Sequence, residues 1–452
     1  MLLLGLVIVL GQSAAQMPAT LTPEEKIYGL SHFWREATYN FAYFYKVPEL
    51  NWDSAYQAFL PRVMATANDY EYYRELQRFC ALLKDGHTNV YFPQAVDNQL
   101  MGNSFHPYRF MLGAFGERVY VTNATVGTVA DIPLGSEVVA VNGIPTDIWM
   151  REQVMPYISS STDYILFDWA AGNLLRGPVG GQISVAIRTP AGEERQFTLT
   201  RGRSSSDWAK PMRDFKNVEL HWPEPGVAQL VLNTFGDEAV DSVFLTLLPE
   251  LRKSKAVIID LRNNGGGNTS IGANILKYFV DRDTLVGSRW ATRQHRGAFK
   301  AWGVWMTEKD TIADDWAKES YLYARGQMWY TGERHEVVND VPADQRLSQP
   351  LVVLIEHNTA SAAEDFLIFL DGLNRATVMG RPTFGSTGQP LSFQMPGGAY
   401  ARICTKKDTY ADGREFVGYG IPPDVYIEPT IEDYLNDKDA ALEQALRYLR
   451  ER

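Results

Sequence analysis

The sequence predicts a mixed α/β protein of several domains, and three features of its 452 residues lead to that prediction. Apolar residues recur every three or four positions between residues 22 and 85, which indicates amphipathic helices. Short alternating runs between residues 105 and 202 indicate a β-rich segment. From Gly226 onwards, apolar runs typical of buried strands alternate with helical segments, which indicates a mostly parallel sheet with crossover helices.

Composition and charge exclude several classes of protein. Hydrophobic residues make up 45% of the chain and charged residues 21%, which excludes a disordered, collagen-like or multi-span membrane protein. The net charge of −11 lacks the basic footprint of a nucleic-acid-binding protein. Two cysteines, Cys80 and Cys404, are too few for a disulfide framework or a thiolate zinc site. They favour buried free thiols over a single bridge.

The chain begins with a segment that is typical of a signal peptide. An apolar run from Leu2 to Leu10 is too short to span a bilayer, which needs about 20 residues. Small residues at Ser13 and Ala15 are typical of cleavage before Gln16. We therefore expect export to the periplasm or the medium, the alternative being that the run is a buried strand.

The pattern along the chain predicts the domain boundaries. Thr22, Pro23 and Glu25 combine an N-cap, a first-turn proline and a capping-box acid, so the first helix is expected to begin there. Asp85-Gly86 is expected to close the last helix of this group with Gly86 in the left-handed conformation, directly before His87. The expected parts are a signal peptide (1–15), a helical domain (16–100), a β-rich domain (101–203) and an α/β core (204–452) with an aromatic-rich insertion at about 286–349.

Three separated segments carry residues suited to catalysis. The glycines at 265–267 follow a buried strand and leave backbone N–H groups unshielded, as an oxyanion-binding turn requires. Ser361, flanked by alanines between a buried strand and a helix, has an accessible hydroxyl. His87 follows a helix end. Taken alone, Ser361 is more often a helix cap, and His87 is more often a structural or surface residue.

Metal and phosphate chemistry are not indicated. His335-Glu336-Val337-Val338-Asn339 has Asn339 where a zinc signature needs a second histidine. The glycines at 265–267 are not followed by the lysine of a phosphate-binding loop. We therefore expect no metal and no organic cofactor.

Four motifs occur in the order found in the C-terminal processing (tail-specific) protease and tricorn protease family of serine peptidases, which this chain resembles. They are Asp260–Gly267, Thr359–Glu364, Thr383-Phe384-Gly385 and Gly420-Ile421-Pro422-Pro423-Asp424. The resemblance implies a crotonase-like α/β spiral core, and residues 134–143 resemble part of the family's PDZ-like domain. It also implies an exported serine peptidase that cleaves peptides or unfolded proteins through an acyl-enzyme.

The resemblance implies roles for individual residues. Ser361 matches the nucleophile, and the N–H of Ala362, with that of Gly265 or Gly266, matches the oxyanion hole. Tail-specific proteases carry a lysine base after Thr-Phe-Gly, where this chain has Ser386. A serine hydroxyl needs a base.

The base is therefore expected to be His87, in an Asp-Gly-His-Thr motif similar to that of the tricorn-like branch. Glu415 is expected to orient the imidazole.

Other functions remain open at this point. Because the lysine base is absent, one alternative is a non-catalytic protein that binds apolar ligands or peptides on the same fold. A second alternative is a scaffold that acts through its PDZ-like domain. The insertion contains five tryptophans, which suit either a packed aromatic cluster or a lid that selects substrates.

Overall fold

The computed structural model describes residues 17–204, 206–212 and 214–451. The signal peptide expected at residues 1–15 lies outside this range. Within it, the protein is a mixed α/β structure with several sheets. No helix in this part of the chain is both long and apolar enough to cross a membrane.

Three helices form the N-terminal part, as the apolar spacing predicts. Thr22 and Glu25 form the expected capping box at the start of the first helix. The expected left-handed cap at Gly86 is wrong, because the positive φ of 49° falls at Lys84. Gly86 is instead a point of close approach, since a Cβ there would lie 2.5 Å from the Phe384 ring. The helices are α1 (Pro23–Asn40), α2 (Trp52–Met64) and α3 (Asp69–Ala81).

The middle of the chain forms a seven-stranded antiparallel sheet around its own hydrophobic cluster. The turn at Asn142 and Gly143 has positive φ at both residues, as a tight hairpin turn requires. The sheet order is β3-β10-β9-β6-β5-β4, with β7 paired to β6. The elements are β1 (Asn89–Tyr91), α4 (Gln94–Asp97), β2 (Leu100–Met101), β3 (Phe105–His106), β4 (Phe110–Phe115), β5 (Arg118–Ala124), β6 (Glu137–Val141), β7 (Ile144–Pro145), α5 (Thr146–Trp149), α6 (Asp163–Gly172), β8 (Gly177–Pro178), β9 (Gln182–Arg188) and β10 (Glu194–Arg201).

The remainder is built on a six-stranded sheet, ordered β11-β12-β13-β18-β19-β23, that is parallel from β12 onwards. Strands β13 and β18 are buried at every position, as expected of strands covered on both faces. The elements are β11 (Val218–Glu224), β12 (Val227–Leu232), α7 (Ala239–Leu251), β13 (Ala256–Asp260), α8 (Thr269–Leu276), β14 (Thr284–Val286), β15 (Arg289–Arg293), α9 (Gly297–Gly303), α10 (Asp315–Ala324), β16 (Trp329–Thr331), β17 (Glu336–Val338), β18 (Leu351–Ile355), α11 (Ala362–Leu370), β19 (Thr377–Gly380), β20 (Pro390–Gln394), β21 (Tyr400–Cys404), β22 (Lys406–Thr409), β23 (Val425–Tyr426), α12 (Ile431–Leu435) and α13 (Ala440–Arg450).

The N-terminal helices share one hydrophobic cluster with this core. Phe33 and Phe79 belong to the same cluster of buried residues as Ile259 and Ile403. Strand β1 also pairs with β21, so the segment that follows α3 is hydrogen-bonded to the core. The helical part is therefore packed as an extension of the core.

The aromatic insertion has a base that is paired with the core and a tip that is exposed. Strands β15, β16 and β22 form one sheet, and β14 pairs with β17. Helices α9 and α10 form the tip, where the Trp302 and Trp316 rings lie 5.3 Å apart. Trp305 beside them is 87% exposed. Both cysteines are free and buried.

Candidate active site

His87 is held at the edge of the core by the strand that follows it. The pairing of β1 with β21 sets Asn89 opposite Arg402. Arg402 donates from Nε to Asn89 Oδ1 at 2.8 Å and from Nη2 to the Gly86 carbonyl at 3.4 Å. The short segment between α3 and β1 is thereby fixed on both sides of His87.

The His87 ring is buried and bonded through Nδ1 to Ser386. The distance from Nδ1 to Ser386 Oγ is 2.8 Å, and Ser386 Oγ in turn donates to Asp85 Oδ1 at 3.3 Å. Because the Ser386 proton points to Asp85, we assign the ring proton to Nδ1, which leaves Nε2 with a free lone pair. Burial, together with the positive charges of Arg402 and Lys406, lowers the pKa of His87 to about 3, so the ring is neutral at neutral pH.

Asp85 is the buried carboxylate behind Ser386. Its other oxygen accepts a hydrogen bond from Thr88 Oγ1 at 2.6 Å, and Ser161 Oγ donates to Oδ1 at 3.3 Å. Burial raises the pKa of Asp85, and the hydrogen bonds that it accepts oppose that shift. Asp85 and Ser386 were not expected at the site. Asp85 belongs to the Asp-Gly-His-Thr motif, and Ser386 occupies the position where the lysine is lost, so both signals were in the sequence.

Ser361 lies at a strained turn between β18 and α11. Its φ of 56° and ψ of −120° lie in a region that residues other than glycine rarely adopt. Such strain persists only where the surroundings hold it in place. The constraint comes from helix α11, which begins at the next residue, and from the contacts of Glu364.

Glu364 joins the turn of Ser361 to the turn that carries Ser386. Its Oε2 accepts the Ser361 N–H at 3.0 Å, and its Oε1 accepts both Thr383 Oγ1 at 2.6 Å and the Gly385 N–H at 2.8 Å. The side chain is fully buried. Burial raises the pKa of Glu364 to about 8, although all three hydrogen bonds oppose the shift.

The glycine turn packs directly on Ser361. A Cβ on Gly266 would lie 2.7 Å from Ser361 Cβ and 2.9 Å from the Ala362 nitrogen, and φ at Gly266 is +95°. The Gly266 N–H donates to Asn264 Oδ1 at 2.9 Å, so it is not available to an oxyanion. Gly265 is exposed, and its N–H and that of Ala362 have no acceptor among the described residues. Of the two expected glycines, Gly265 is therefore the one that can donate.

Glu415 is hydrogen-bonded to side chains other than His87. Its carboxylate accepts hydrogen bonds from Tyr45 Oη, Lys46 Nζ and Lys407 Nζ at 2.6 to 2.9 Å. Partial burial works to raise the pKa of Glu415, and the hydrogen bonds from Lys407 and Lys46 outweigh it, so the pKa falls to about 2. The expectation that Glu415 orients His87 is corrected by these contacts, because Ser386 occupies the position at Nδ1.

Part of the chain is similar to a known family of peptidases, and longer stretches are similar to individual proteases. Residues 226–427 match the model for peptidase family S41. A carboxyl-terminal-processing protease of Picosynechococcus sp. is 26% identical over 377 residues, which cover 83% of this chain and 77% of the relative. A carboxyl-terminal-processing protease of Synechocystis sp. is 24% identical over 438 residues, covering 94% and 86%.

A solved structure shows the same fold. Mature CPAF complexed with lactacystin superposes with a TM-score of 0.67 at 15% identity, covering 95% of this chain and 97% of that one. At this identity the likeness concerns the fold alone.

The pKa of Glu364 predicts a pH-dependent stability. Because the folded pKa of about 8 lies above the ordinary 4.5, the contribution of Glu364 to stability is fully present below pH 4.5 and is lost as the pH rises through 8. From pH 4.5 to 8 the free energy of unfolding should therefore fall relative to that of Glu364→Gln, by up to about 5 kcal/mol. Urea titrations of both proteins across this range measure the difference.

Comparing the unsubstituted protein with Glu364→Gln separates the effect of Glu364 on stability from that of other buried carboxyl groups. Burial also raises the pKa of Asp408, to about 7, but Asp408 is present in both proteins and its contribution cancels. Two stability profiles that stay parallel between pH 4.5 and 8 would contradict the assignment.

Proposed function

Residues 226–427 match the model for peptidase family S41, and carboxyl-terminal-processing proteases are among the relatives of this chain, which is a serine-type peptidase. We propose that Ser361 is its nucleophile and His87 its general base. The observation that carries the proposal is the strained turn of Ser361, which packs against the glycine turn beside a helix N-terminus. The substrate is a peptide or an unfolded protein segment.

In the proposed reaction, Ser361 Oγ attacks the carbonyl carbon of the scissile bond and its proton passes to His87 Nε2. His87 then gives this proton to the leaving amine, and an acyl-enzyme remains on Ser361. Water, deprotonated by the same ring, releases the acyl group and restores the hydroxyl. The neutral ring supports this role, since only the unprotonated imidazole can accept the proton.

Ser386 and Asp85 act as positioning residues for His87. The Nδ1–H bond to Ser386 fixes the ring orientation and the tautomer, so that Nε2 is the nitrogen available for proton transfer. Ser386 connects Nδ1 to the buried carboxyl group of Asp85 by hydrogen bonds. This connection stabilises the ring when it becomes positively charged. This relay replaces the role that the sequence suggested for Glu415.

The Ala362 and Gly265 N–H groups are proposed to bind the oxyanion. Both lack an acceptor among the described residues, and Ala362 begins helix α11, whose N-terminal dipole favours negative charge. Gly266 is proposed to allow the glycine turn to pack against Ser361. The support is its close contact with Ser361, which leaves no room for a Cβ.

The finer architecture is part of the same proposal. We propose that residues 101–203 form a PDZ-like domain and that residues 204–452 form a crotonase-like spiral core. The support is the separate hydrophobic cluster of the antiparallel sheet and the parallel sheet with its crossover helices. Residues 1–15 would serve as the signal peptide of an exported protein, on the strength of the apolar run from Leu2 to Leu10.

Replacing the proposed nucleophile or base tests the mechanism. Ser361→Ala and His87→Ala should each lower kcat for a fluorogenic peptide by at least about 10³-fold, because each removes a group that makes or breaks a bond. Only proteins that retain Ser361 should react there with a fluorophosphonate. Ser392→Ala and His221→Ala, at exposed positions, are the matched controls and should keep full activity. Undiminished hydrolysis by either site variant would refute the mechanism.

Ser386→Ala tests the positioning role. Loss of the acceptor at Nδ1 should lower kcat by about 10- to 100-fold and leave KM nearly unchanged, because the ring stays in place without a fixed tautomer. The ¹⁵N chemical shifts of the His87 ring should change in the same variant, from an Nδ1–H form to a mixture of tautomers. A change in KM alone, with unaltered ring shifts, would indicate a purely structural role.

The two neighbouring glycines provide a matched pair. Gly266→Ala should lower kcat/KM by at least about 10²-fold, since the added methyl group would push on Ser361 Cβ and on the Ala362 nitrogen. Gly265→Ala should change kcat/KM by less than about threefold, because the Cβ position at Gly265 is open and the N–H is kept. Equal activity of the two variants in a peptide assay would exclude this arrangement of the glycine turn.

A further inference from the structure

The strand that leads into the glycine turn ends in a buried carboxylate, and a nearby arginine holds that carboxylate in place. Asp260 is the last residue of β13. Arg262 donates to it from Nε to Oδ1 at 2.9 Å and from Nη2 to Oδ2 at 2.6 Å. The backbone N–H of Arg262 also donates to Asp260 Oδ1, at 3.1 Å. These bonds fix the backbone between the strand and the glycine turn.

A second side of the same guanidinium binds the C-terminal helix. Nη1 of Arg262 donates to Asp439 Oδ1 at 2.7 Å, and Nη2 donates to Asp439 Oδ2 at 2.8 Å. Asp439 is the N-cap of α13 and also accepts the Leu442 N–H at 3.0 Å. Burial works to lower the pKa of Arg262, and the two carboxylates outweigh it, so the pKa rises above its ordinary value. One planar, permanently charged group therefore joins two carboxylates that are distant in the chain.

Helix α13 provides a fixed point of attachment for the arginine. Its residues Leu446 and Leu449 belong to the same hydrophobic cluster as Ile258 and Leu354 of the central sheet. Because the burial of this apolar surface holds the helix against the sheet, the position of Asp439 at its N-terminus is set by packing. The C-terminal helix can therefore hold the guanidinium in one place.

Two backbone hydrogen bonds connect the arginine-held segment to both proposed oxyanion donors. The Leu261 carbonyl accepts the Asn264 N–H at 2.9 Å, and the Asn264 carbonyl accepts the Ala360 N–H at 3.0 Å. Asn264 directly precedes Gly265, and Ala360 lies two residues before Ala362. Both donors must point at the same oxygen atom of the substrate. A shift of this segment would therefore move one donor relative to the other.

We propose that Arg262 and Asp439 are positioning residues of the oxyanion hole, and that through them α13 holds the Gly265 N–H in register with the Ala362 N–H. The inference rests on the proposed function and goes further, because it gives the C-terminal helix a part in stabilising the transition state. Both side chains act through the backbone of the glycine turn and take no part in bond cleavage.

Asp439→Asn tests this pair with little change in shape. Asparagine is also a good N-cap, so α13 should stay in place, but the charge of the bonds to Arg262 is lost. The value of kcat for a fluorogenic peptide should fall by about 5- to 20-fold with KM nearly unchanged, because oxyanion donors act mainly on the transition state. The Ki of a peptide boronic acid, whose adduct with Ser361 mimics the tetrahedral intermediate, should rise by a similar factor.

A second variant and a matched control make the result specific. Arg262→Lys keeps the positive charge between the carboxylates, so the protein should fold, but one ammonium group cannot replace the planar fork and kcat should again fall. Glu224→Gln removes the ion pair with Arg450 at the other end of α13 and should preserve kcat and Ki. The proposal is overturned if Asp439→Asn behaves like this control. A higher KM with unchanged kcat and Ki would likewise overturn it and leave the pair a purely structural role.

Spectra of ¹⁵N-glycine-labelled protein observe the donor itself and separate this inference from the proposed function. The Gly265 amide signal, assigned by its loss in Gly265→Ala, should shift in Asp439→Asn and in Arg262→Lys. It should stay in place in Glu224→Gln. If Ser361→Ala abolishes hydrolysis while Asp439→Asn changes neither the Gly265 signal nor kcat, the function stands and this inference fails. If hydrolysis persists in Ser361→Ala while Asp439→Asn shifts the signal and lowers kcat, the nucleophile assignment fails and the coupling of α13 to the glycine turn stands.

Discussion

The geometry of the site depends on one buried side chain, Glu364. Its two oxygens accept three hydrogen bonds, from the backbone of Ser361 and from both Thr383 and Gly385. A buried acceptor that loses a partner costs about 1–3 kcal/mol, so these turns are locked together. The strained backbone of Ser361 is sustained by this lock, and the same lock fixes the turn that presents Ser386 to His87.

The N-terminal helices are part of the scaffold of the site. His87 follows α3, which packs in the same hydrophobic cluster as the central sheet, and β1 then pairs with β21. The free energy of apolar burial in this shared cluster offsets the entropy of bringing distant segments together. A change in the packing of these helices would therefore displace the imidazole.

Both positively and negatively charged groups surround His87. Burial, followed by the charges of Arg402 and Lys406, lowers the pKa of the His87 ring, and Asp85 lies behind Ser386 on the Nδ1 side. The resting ring is thus neutral, and the relay to Asp85 is in place before any charge forms. Arg402 also donates to Asn89, two residues after His87, and so holds the strand that follows the ring.

The sequence by itself determined the elements and most of the candidate residues. Apolar periodicity gives the three helices, because local spacing reports which face is buried. Apolar runs give the buried strands β12 and β18 at their observed bounds. The ordered motifs single out Ser361, and the Asp-Gly-His-Thr motif singles out His87. Local spacing could not choose between Gly265 and Gly266, nor between Glu415 and Ser386, because hydrogen-bond partners distant in the chain decide those roles. Only the tertiary structure brings Asp85, Ser386 and Glu364 together, since burial and long-range hydrogen bonds arise when separate turns pack against each other.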